Sequence, residues 1–450
     1  MTKFKKTMLG LLGGVAGISV LATTSCGPKY TEEELAVQDK IGKVFFVTDG
    51  GSIFDKSFNQ QGKEALDIIT KGTGLNVVNL TNSPTEHSAI EVSKGYRVAE
   101  KKGTQYILAP GFNHVAAMSD YFKNNKNTKM KFILVDEINN PIDYDAKPKP
   151  APFWSDEISK NNVAGITFNT NESAFFVGVY AAQYLVEIVK DETPNVSSWG
   201  GGNFPGVTDF ITGFINGVKY YNEKLLPEYK KTNPKAKAVK FVLTGNNDKQ
   251  FASGFAPEGG TDLAKTLIQN GADIIMPVAG SQTKNLVDAL ALEKDEVKNR
   301  IKIIGVDTDQ KILFSEHSEF FLTSVEKNLK DAIVKVYIKI RKDDMKSSPD
   351  FKLSDSLEKI KLESNIKGVG ETTIGNLSNG LVSFSSPSEK LAGGKYKEAN
   401  DLYEKIKNDE NIKKFATGEG NPVGAWTGQT KDEWFKKIEE LNKQADEFNK

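Results

Sequence analysis

Cysteine is almost missing from this chain: one residue, Cys26, in 450. No intrachain disulfide can form, and no multi-thiolate metal site can be built. A secreted chain of this length needs neither, because a core of that size can hold it together. Histidine is nearly as scarce, with His87, His114 and His317. None of the three stands in a His-x-x-x-His or Cys/His spacing, so the common zinc motifs are excluded. The Gly-x-Ser-x-Gly elbow of serine hydrolases is absent as well. Arginine occurs three times, as Arg97, Arg300 and Arg341, and lysine makes up the rest of the 59 basic residues. Planar forks for phosphate or carboxylate are therefore few. The 59 acidic residues cancel the charge, so there is no basic footprint for nucleic acid. Beyond the N-terminus no stretch reaches the about 18 apolar residues that a membrane span requires. Little here supports an enzyme, and a binding protein is the better expectation.

What is present starts at the N-terminus. Lys3, Lys5 and Lys6 precede a short apolar run from Met8 to Ala22, followed by Thr23-Thr24-Ser25-Cys26-Gly27. A basic start, a short apolar core and small residues at the cut are the plan of a signal peptide. The lone cysteine stands just after those small residues, which resembles a bacterial lipoprotein signal. On that reading residues 1–25 are removed and Cys26 becomes the lipidated N-terminus. Acyl chains then hold the protein on the extracellular face of the cell membrane, since two or more give stable anchoring. An ordinary N-terminal anchor with an incidental cysteine is the plainer alternative. Residues 26–41 are polar and acidic and read as a tether.

From residue 43 the chain alternates short β-branched runs with amphipathic stretches. The runs are 43–48, 75–80, 105–109, 131–136, 163–168, 196–199, 240–244, 273–278 and 302–307. They are nearly continuous in apolar residues, as strands of a parallel sheet buried on both faces must be. The rhythm predicts an α/β fold, and its length predicts two lobes. The expected division is 42–166 plus about 311–342 for an N-lobe and 167–310 for a C-lobe. Residues 343–450 would form a C-terminal extension with a hinge, a strand return and charged helices. The proline-rich segment 140–160 and the segment 246–261 read as surface insertions.

Ligands of open parallel sheets bind beyond the carboxyl ends of the strands. Thr48-Asp49-Gly50-Gly51 follows the first run and leads into Asp55-Lys56-Ser57-Phe58-Asn59-Gln60. Paired glycines allow a tight turn and close ligand approach. Ser57 or Asp55 is placed to cap the following helix. Further loops rich in glycine, amides, acids and aromatics follow: Pro110-Gly111-Phe112-Asn113-His114, the Gly200–Gly206 loop with Asp209-Phe210, Ala279-Gly280-Ser281, and Asp307-Thr308-Asp309-Gln310. One such loop is ordinary, and any single acid is as readily a helix cap. Five at one sheet edge point to a pocket.

Val47-Thr48-Asp49-Gly50-Gly51, the Phe54–Gln60 string, Asp209-Phe210 to Gly213-Phe214, Gly305–Gln310 and Ser324-Val325-Glu326-Lys327 together resemble the basic membrane protein family. These are substrate-binding lipoproteins of ABC importers, related to the purine nucleoside receptor. The likeness runs from about 42 to 342. It implies a type I periplasmic-binding-protein-like fold, with two Rossmann-like lobes and parallel sheets joined by a hinge. It implies a monomer that captures a nucleoside, with purine the favoured base, and hands it to permease subunits without a cofactor. Residue by residue, it implies that Phe58 and Phe210 stack on the base. Asp49 and Asn59 would make polar contacts near the base. Asp307 would accept the ribose hydroxyls, Gly280 would lie beside the sugar, and Lys327 would reach the sugar side. Family members often carry an acid in the loop after the third strand, where this chain has Phe112-Asn113-His114-Val115-Ala116; Asn113 or His114 is the expected substitute. A sugar clamp of the same fold would use similar groups. A surface adhesin or structural lipoprotein would instead put its working part in the charged tail.

Overall fold

The computed structural model describes residues 43–386 except 87, 144–145, 245–249, 253 and 348–351, together with 401, 403–404, 409, 412, 416 and 431–450. The signal peptide, Cys26 and the tether lie outside the described residues, as does His87. So do most of residues 387–430 of the expected C-terminal extension and part of 246–261.

Two six-stranded sheets carry the fold. In the first, β1 is Val44–Val47, β2 Thr81–Asn82, β3 Tyr106–Pro110, β4 Lys131–Val135, β7 Val163–Phe168 and β13 Thr372–Gly375. In the second, β8 is Asn195–Gly200, β9 Lys240–Phe241, β10 Ile274–Val278, β11 Lys302–Asp307, β12 Phe321–Lys327 and β14 Val382–Phe384. The first sheet orders its strands β13-β7-β4-β3-β1-β2 and the second β14-β12-β11-β10-β8-β9. Every neighbouring pair is parallel except β12 with β14. All residues of β1, β3, β10 and β11 are buried, which is why these runs are apolar without alternation. A hairpin of β5 (Ile142–Asp143) and β6 (Ala151–Pro152) fills the proline-rich segment.

Three expectations need correction. The run 75–80 is not a strand: Val77–Leu80 is a 3-10 turn, started by the Asn76 side chain accepting from the Val78 amide at 3.0 Å. The strand is the following Thr81–Asn82. The run 240–244 pairs as a strand only at Lys240–Phe241, and the Thr244 amide donates to the Gln250 side chain at 3.1 Å instead of to a neighbouring strand. The return to the first lobe comes later than residue 311. Strand β12 is buried between β11 and β14, so 311–327 belongs to the second lobe. Only from Leu329, where the next helix joins the first core, is the chain back in the first lobe.

Five helices position the site or brace the two lobes: α1 (Phe58–Ile69), α2 (Thr170–Gln183), α3 (Pro205–Tyr220), α4 (Leu329–Met345) and α5 (Lys431–Phe448). The chain crosses between lobes near Asn169, at Asn328 and within 376–381, and the crossings are tied to one another. The Asn169 amide donates to Gly375 O at 2.8 Å, the Asn328 amide to Leu381 O at 3.0 Å, and the Leu377 amide to the Glu172 carboxylate at 3.0 Å. Helix α5 closes the outer edge of the second sheet. Its Asn442 side chain accepts from the Phe241 amide at 2.8 Å and donates to Phe241 O at 2.9 Å, while Ile438, Leu441 and Ala445 enter the core. An otherwise open edge strand is thereby covered.

All 14 residues of α2 are buried. Continued through Val189 it is the one helix among the described residues long and apolar enough to cross a membrane, yet 83% of that window lies inside the protein. A helix buried on every side is a core helix. It packs on α3 through glycines: a Cβ on Gly217 would stand 2.0 Å from Phe175 O, and one on Gly178 2.2 Å from Phe214 O. Backbone on both sides leaves nothing to yield. Gly217→Ala is therefore expected to cost about 3 kcal/mol through overpacking. A urea midpoint equal to that of the parent chain would contradict this close packing.

Candidate ligand-binding site

The carboxyl ends of the strands in both sheets face one cavity of about 530 Å³. Its walls include Asp49, Phe58, Asn59, Phe210, Gly280, Asp307 and Lys327, so all seven expected positions come together. Phe58 and Asn59 start α1, just past the β1 loop, Phe210 lies on α3, Gly280 follows β10, and Asp307 and Lys327 end β11 and β12.

The loop after β1 is built by its own side chains. Asp49 accepts from the Gly51 amide at 3.3 Å, from Asn59 Nδ2 at 3.1 Å and from Asn113 Nδ2 at 3.4 Å. Gly111 closes over it at φ 115°, where a Cβ would stand 2.9 Å from the Asp49 carboxylate. Of the two candidate caps of α1, Asp55 does the work. It accepts from the amides of Ser57 at 2.9 Å, Asn59 at 2.9 Å and Gln60 at 3.1 Å. The Ser57 side chain makes no capping bond to its own helix. Burial lifts the Asp55 pKa above its ordinary value, against the pull of these donors.

The floor of the cavity is an ion cluster. Lys327, 2% exposed, lies 3.0 and 2.9 Å from the two oxygens of Asp136 and 3.8 Å from Asp307. Its ammonium also faces three rings: Phe210 at 5.2 Å, Phe58 at 5.4 Å and Phe168 at 5.6 Å from the centroids. Burial pulls the Lys327 pKa down, but Asp136, Asp307 and Asp209 together raise it above the ordinary lysine value. Burial likewise raises the Asp136 pKa, and Lys327 pulls it back. Asp136 follows β4 and Asp307 ends β11, each with φ 66°. Two non-glycine residues in the left-handed region at matching strand ends mark a strained site.

Asp136 is absent from the expected residues, though its place is readable: it stands at the end of its run as Asp307 stands at the end of 302–307. The aromatic mouth is a second feature that sequence reasoning does not find. The Phe112 ring lies 4.4 Å from that of Phe204 and 5.9 Å from that of Phe255. Phe112 and Phe255 line the cavity, so the 246–261 insertion supplies part of its wall. The expected substitution by Asn113 or His114 does not hold. Asn113 turns to Asp49, and His114 is fully buried, paired with the Tyr96 hydroxyl, and driven down to a pKa of about 3 by desolvation. This loop meets the cavity with Gly111 and Phe112, and Phe112 is its one side chain there. Among the described residues no group of three or more His, Cys, Asp or Glu is placed to hold a metal ion.

Asp209, one residue before Phe210 on α3, is pushed up to a pKa of about 7 by burial, with Lys327 opposing and Asp136 adding to the rise. Unfolded, it would lose its proton near 3.8. Folding therefore takes up a proton between these values, and the stabilisation is complete below the lower and lost as the pH rises through the upper. Asp209→Asn should flatten that part of the stability–pH profile in thermal melts. A slope identical to that of the parent chain would refute the buried proton.

Comparison with known proteins agrees with the fold. A family model described as ABC transporter substrate-binding protein PnrA-like matches residues 43–244 and 252–355, well over half the chain. The ABC transporter nucleoside-binding protein BmpA of Lactococcus lactis subsp. cremoris is 27% identical over 281 residues, 60% of this chain and 65% of that protein. The chain thus spans just under two thirds of that relative. Basic membrane protein A of Borreliella afzelii is 27% identical over 280 residues, 62% of this chain and 69% of its own length. A solved ABC transporter solute-binding protein from Aeropyrum pernix K1 superposes with a TM-score of 0.56 at 17% identity, covering 89% of this chain and 98% of that one, which establishes the two-lobed fold. The family is one of solute-binding proteins rather than enzymes, and this chain belongs to it: a PnrA-like ABC transporter substrate-binding protein.

Proposed function

We propose that the chain captures a nucleoside, with purine the favoured base, and delivers it as a monomer to the permease of an ABC importer. It would work from the extracellular face of the cell membrane, held there by lipid on Cys26. One observation carries the reading: Phe58 from one lobe and Phe210 from the other face the same ammonium, in a cavity that also holds the Asp307 carboxylate. Flat aromatic faces on both sides suit a heterocycle, and stacking adds about 0.5–1.5 kcal/mol per ring beyond area burial. A carboxylate is the natural acceptor for the two hydroxyls of a ribose. Asp49 and Asn59 would meet the base edge, with Gly280 and Lys327 beside the sugar. The name of the Lactococcus relative supports the same ligand class.

Calorimetry on the purified chain with guanosine, adenosine, inosine, uridine, ribose and glucose is the direct test. Heat with purine nucleosides is expected, and heat with a free sugar alone would replace this reading by a sugar clamp. Phe58→Ala and Phe210→Ala should each weaken nucleoside binding on the order of tenfold. Unchanged affinity in both variants would remove the stacking. Replacing Cys26 by Ser should release the chain from the membrane fraction and abolish palmitate labelling; a variant that stays labelled and membrane-bound would exclude the anchor.

A further inference from the structure

Ser57 and Gln61 stand one helical turn apart at the start of α1, in the first lobe, and both reach Asp307 in the second. The Ser57 hydroxyl donates to Asp307 Oδ2 at 2.7 Å, and Gln61 Nε2 donates to the Asp307 main-chain oxygen at 2.7 Å. Ser57 and Gln61 are buried, at 1% and 8% exposure, so neither bond competes with bulk water. A serine at a helix N-terminus ordinarily spends its hydroxyl on its own helix. Here Asp55 occupies that role, and the Ser57 hydroxyl is left to cross the cleft. Gln61 in turn holds the carbonyl of a residue whose φ is 66°, a conformation that surrounding bonds must sustain. Lys56 adds a third crossing bond, Nζ donating to Leu313 O at 2.8 Å with its charge 4.7 Å from the Phe314 ring centre.

We propose that Ser57 and Gln61 are positioning residues for Asp307: gripping its carboxylate and its carbonyl from the opposite lobe, they aim the acid at the hydroxyl-bearing half of the ligand and make its reading depend on closure of the lobes. An Asp307 held by one oxygen keeps the second oxygen and the remaining lone pairs for a diol. When the lobes part, both bonds are lost together. The acid then loses its aim, and a diol gains little from it. The device rests on the nucleoside reading. It adds that recognition of the hydroxyls is made by two lobes acting through one side chain.

The test compares guanosine with 2′,3′-dideoxyguanosine, which keeps the base and lacks the diol. Binding is measured by calorimetry on the purified full chain, on Ser57→Ala, on Gln61→Met and on the conservative Ser57→Thr. The parent chain should prefer the riboside. Ser57→Ala and Gln61→Met should each reduce that preference about tenfold, the size of a lost hydrogen bond to a charged or strained group, with riboside affinity falling further than dideoxyguanosine affinity. Ser57→Thr should restore the preference. Circular dichroism and melting curves establish that each variant is folded, and an unfolded Ser57→Ala leaves the decision to Gln61→Met. A parent chain that prefers the riboside, with variants that keep its ratio, overturns the positioning role and leaves the nucleoside reading standing. A parent chain that binds no nucleoside of the calorimetric series sinks both, and one that binds adenosine or inosine but not guanosine is tested with the 2′,3′-dideoxy form of that nucleoside.

Discussion

The ammonium of Lys327 sits where two lobes, three rings and three carboxylates meet, and it is almost wholly shut off from solvent. A lone charge in such a place would cost several kcal/mol, about 3–5 when one partner of a buried pair is removed. Asp136 therefore has to be there, and Asp136 belongs to the other lobe. The pair ties the end of β12 to the end of β4 across the cleft. Everything around it follows the same demand: rings rather than water on the apolar sides, and acids on the rest.

The fold meets that demand by its topology. Parallel strands send all their carboxyl ends to one edge, and two such sheets set edge to edge converge on one space. The left-handed backbone of Asp136 and Asp307 turns each chain out of its sheet immediately beyond the strand, bringing a carboxylate inward. The supports lie behind. Helix α1 is capped by Asp55, which frees Ser57. Helices α2 and α3 touch through glycines, which brings Phe210 to the cavity wall and Asp209 within reach of the Lys327 charge. The late segment 372–384 adds an edge strand to each sheet and binds the crossings to one another.

Much of this is readable from residues alone. Strands 163–168 and 302–307 keep their expected limits because apolar, β-branched runs buried on both faces end where polar residues begin. The short edge strands are not readable: at 75–80 the Asn76 side chain wins the backbone locally, and at 240–244 a glutamine six residues past Thr244 does. The lobe assignment of β12 escapes for another reason. Its residues would suit either sheet, and only pairing with β11 decides between them. In the site, six of the seven positions that come together belong to the strings that carry the family resemblance, while Gly280 stands in an ordinary loop after a strand. Asp136 stands in no such string, and a single acid after a strand looks like any other. Phe255 comes from an insertion whose approach to the cavity depends on tertiary packing. Ser57 is legible as a cap and not as a bond across the cleft, because its partner is 250 residues away.

The charges lining the cavity also constrain what enters it. The lysines there are Lys56, Lys284 and Lys327. Each already has an oxygen: Leu313 O for Lys56, Asp288 for Lys284 and Asp136 for Lys327. Among the described residues no arginine lines the cavity, while Asp49, Asp55, Asp136 and Asp307 do. A phosphate brought into this space would have to pull a lysine from its present partner and lie beside carboxylates, losing its hydration without a matching gain. An uncharged ligand with a flat ring at one end and hydroxyls at the other meets no such penalty. Its ring gains by covering apolar phenylalanine faces, and its hydroxyls can donate to acids, whose oxygens accept several hydrogen bonds. The shortage of arginine in the whole chain is thus of a piece with the site: under the proposed nucleoside reading, a cavity without planar cationic forks offers a phosphate no bidentate partner.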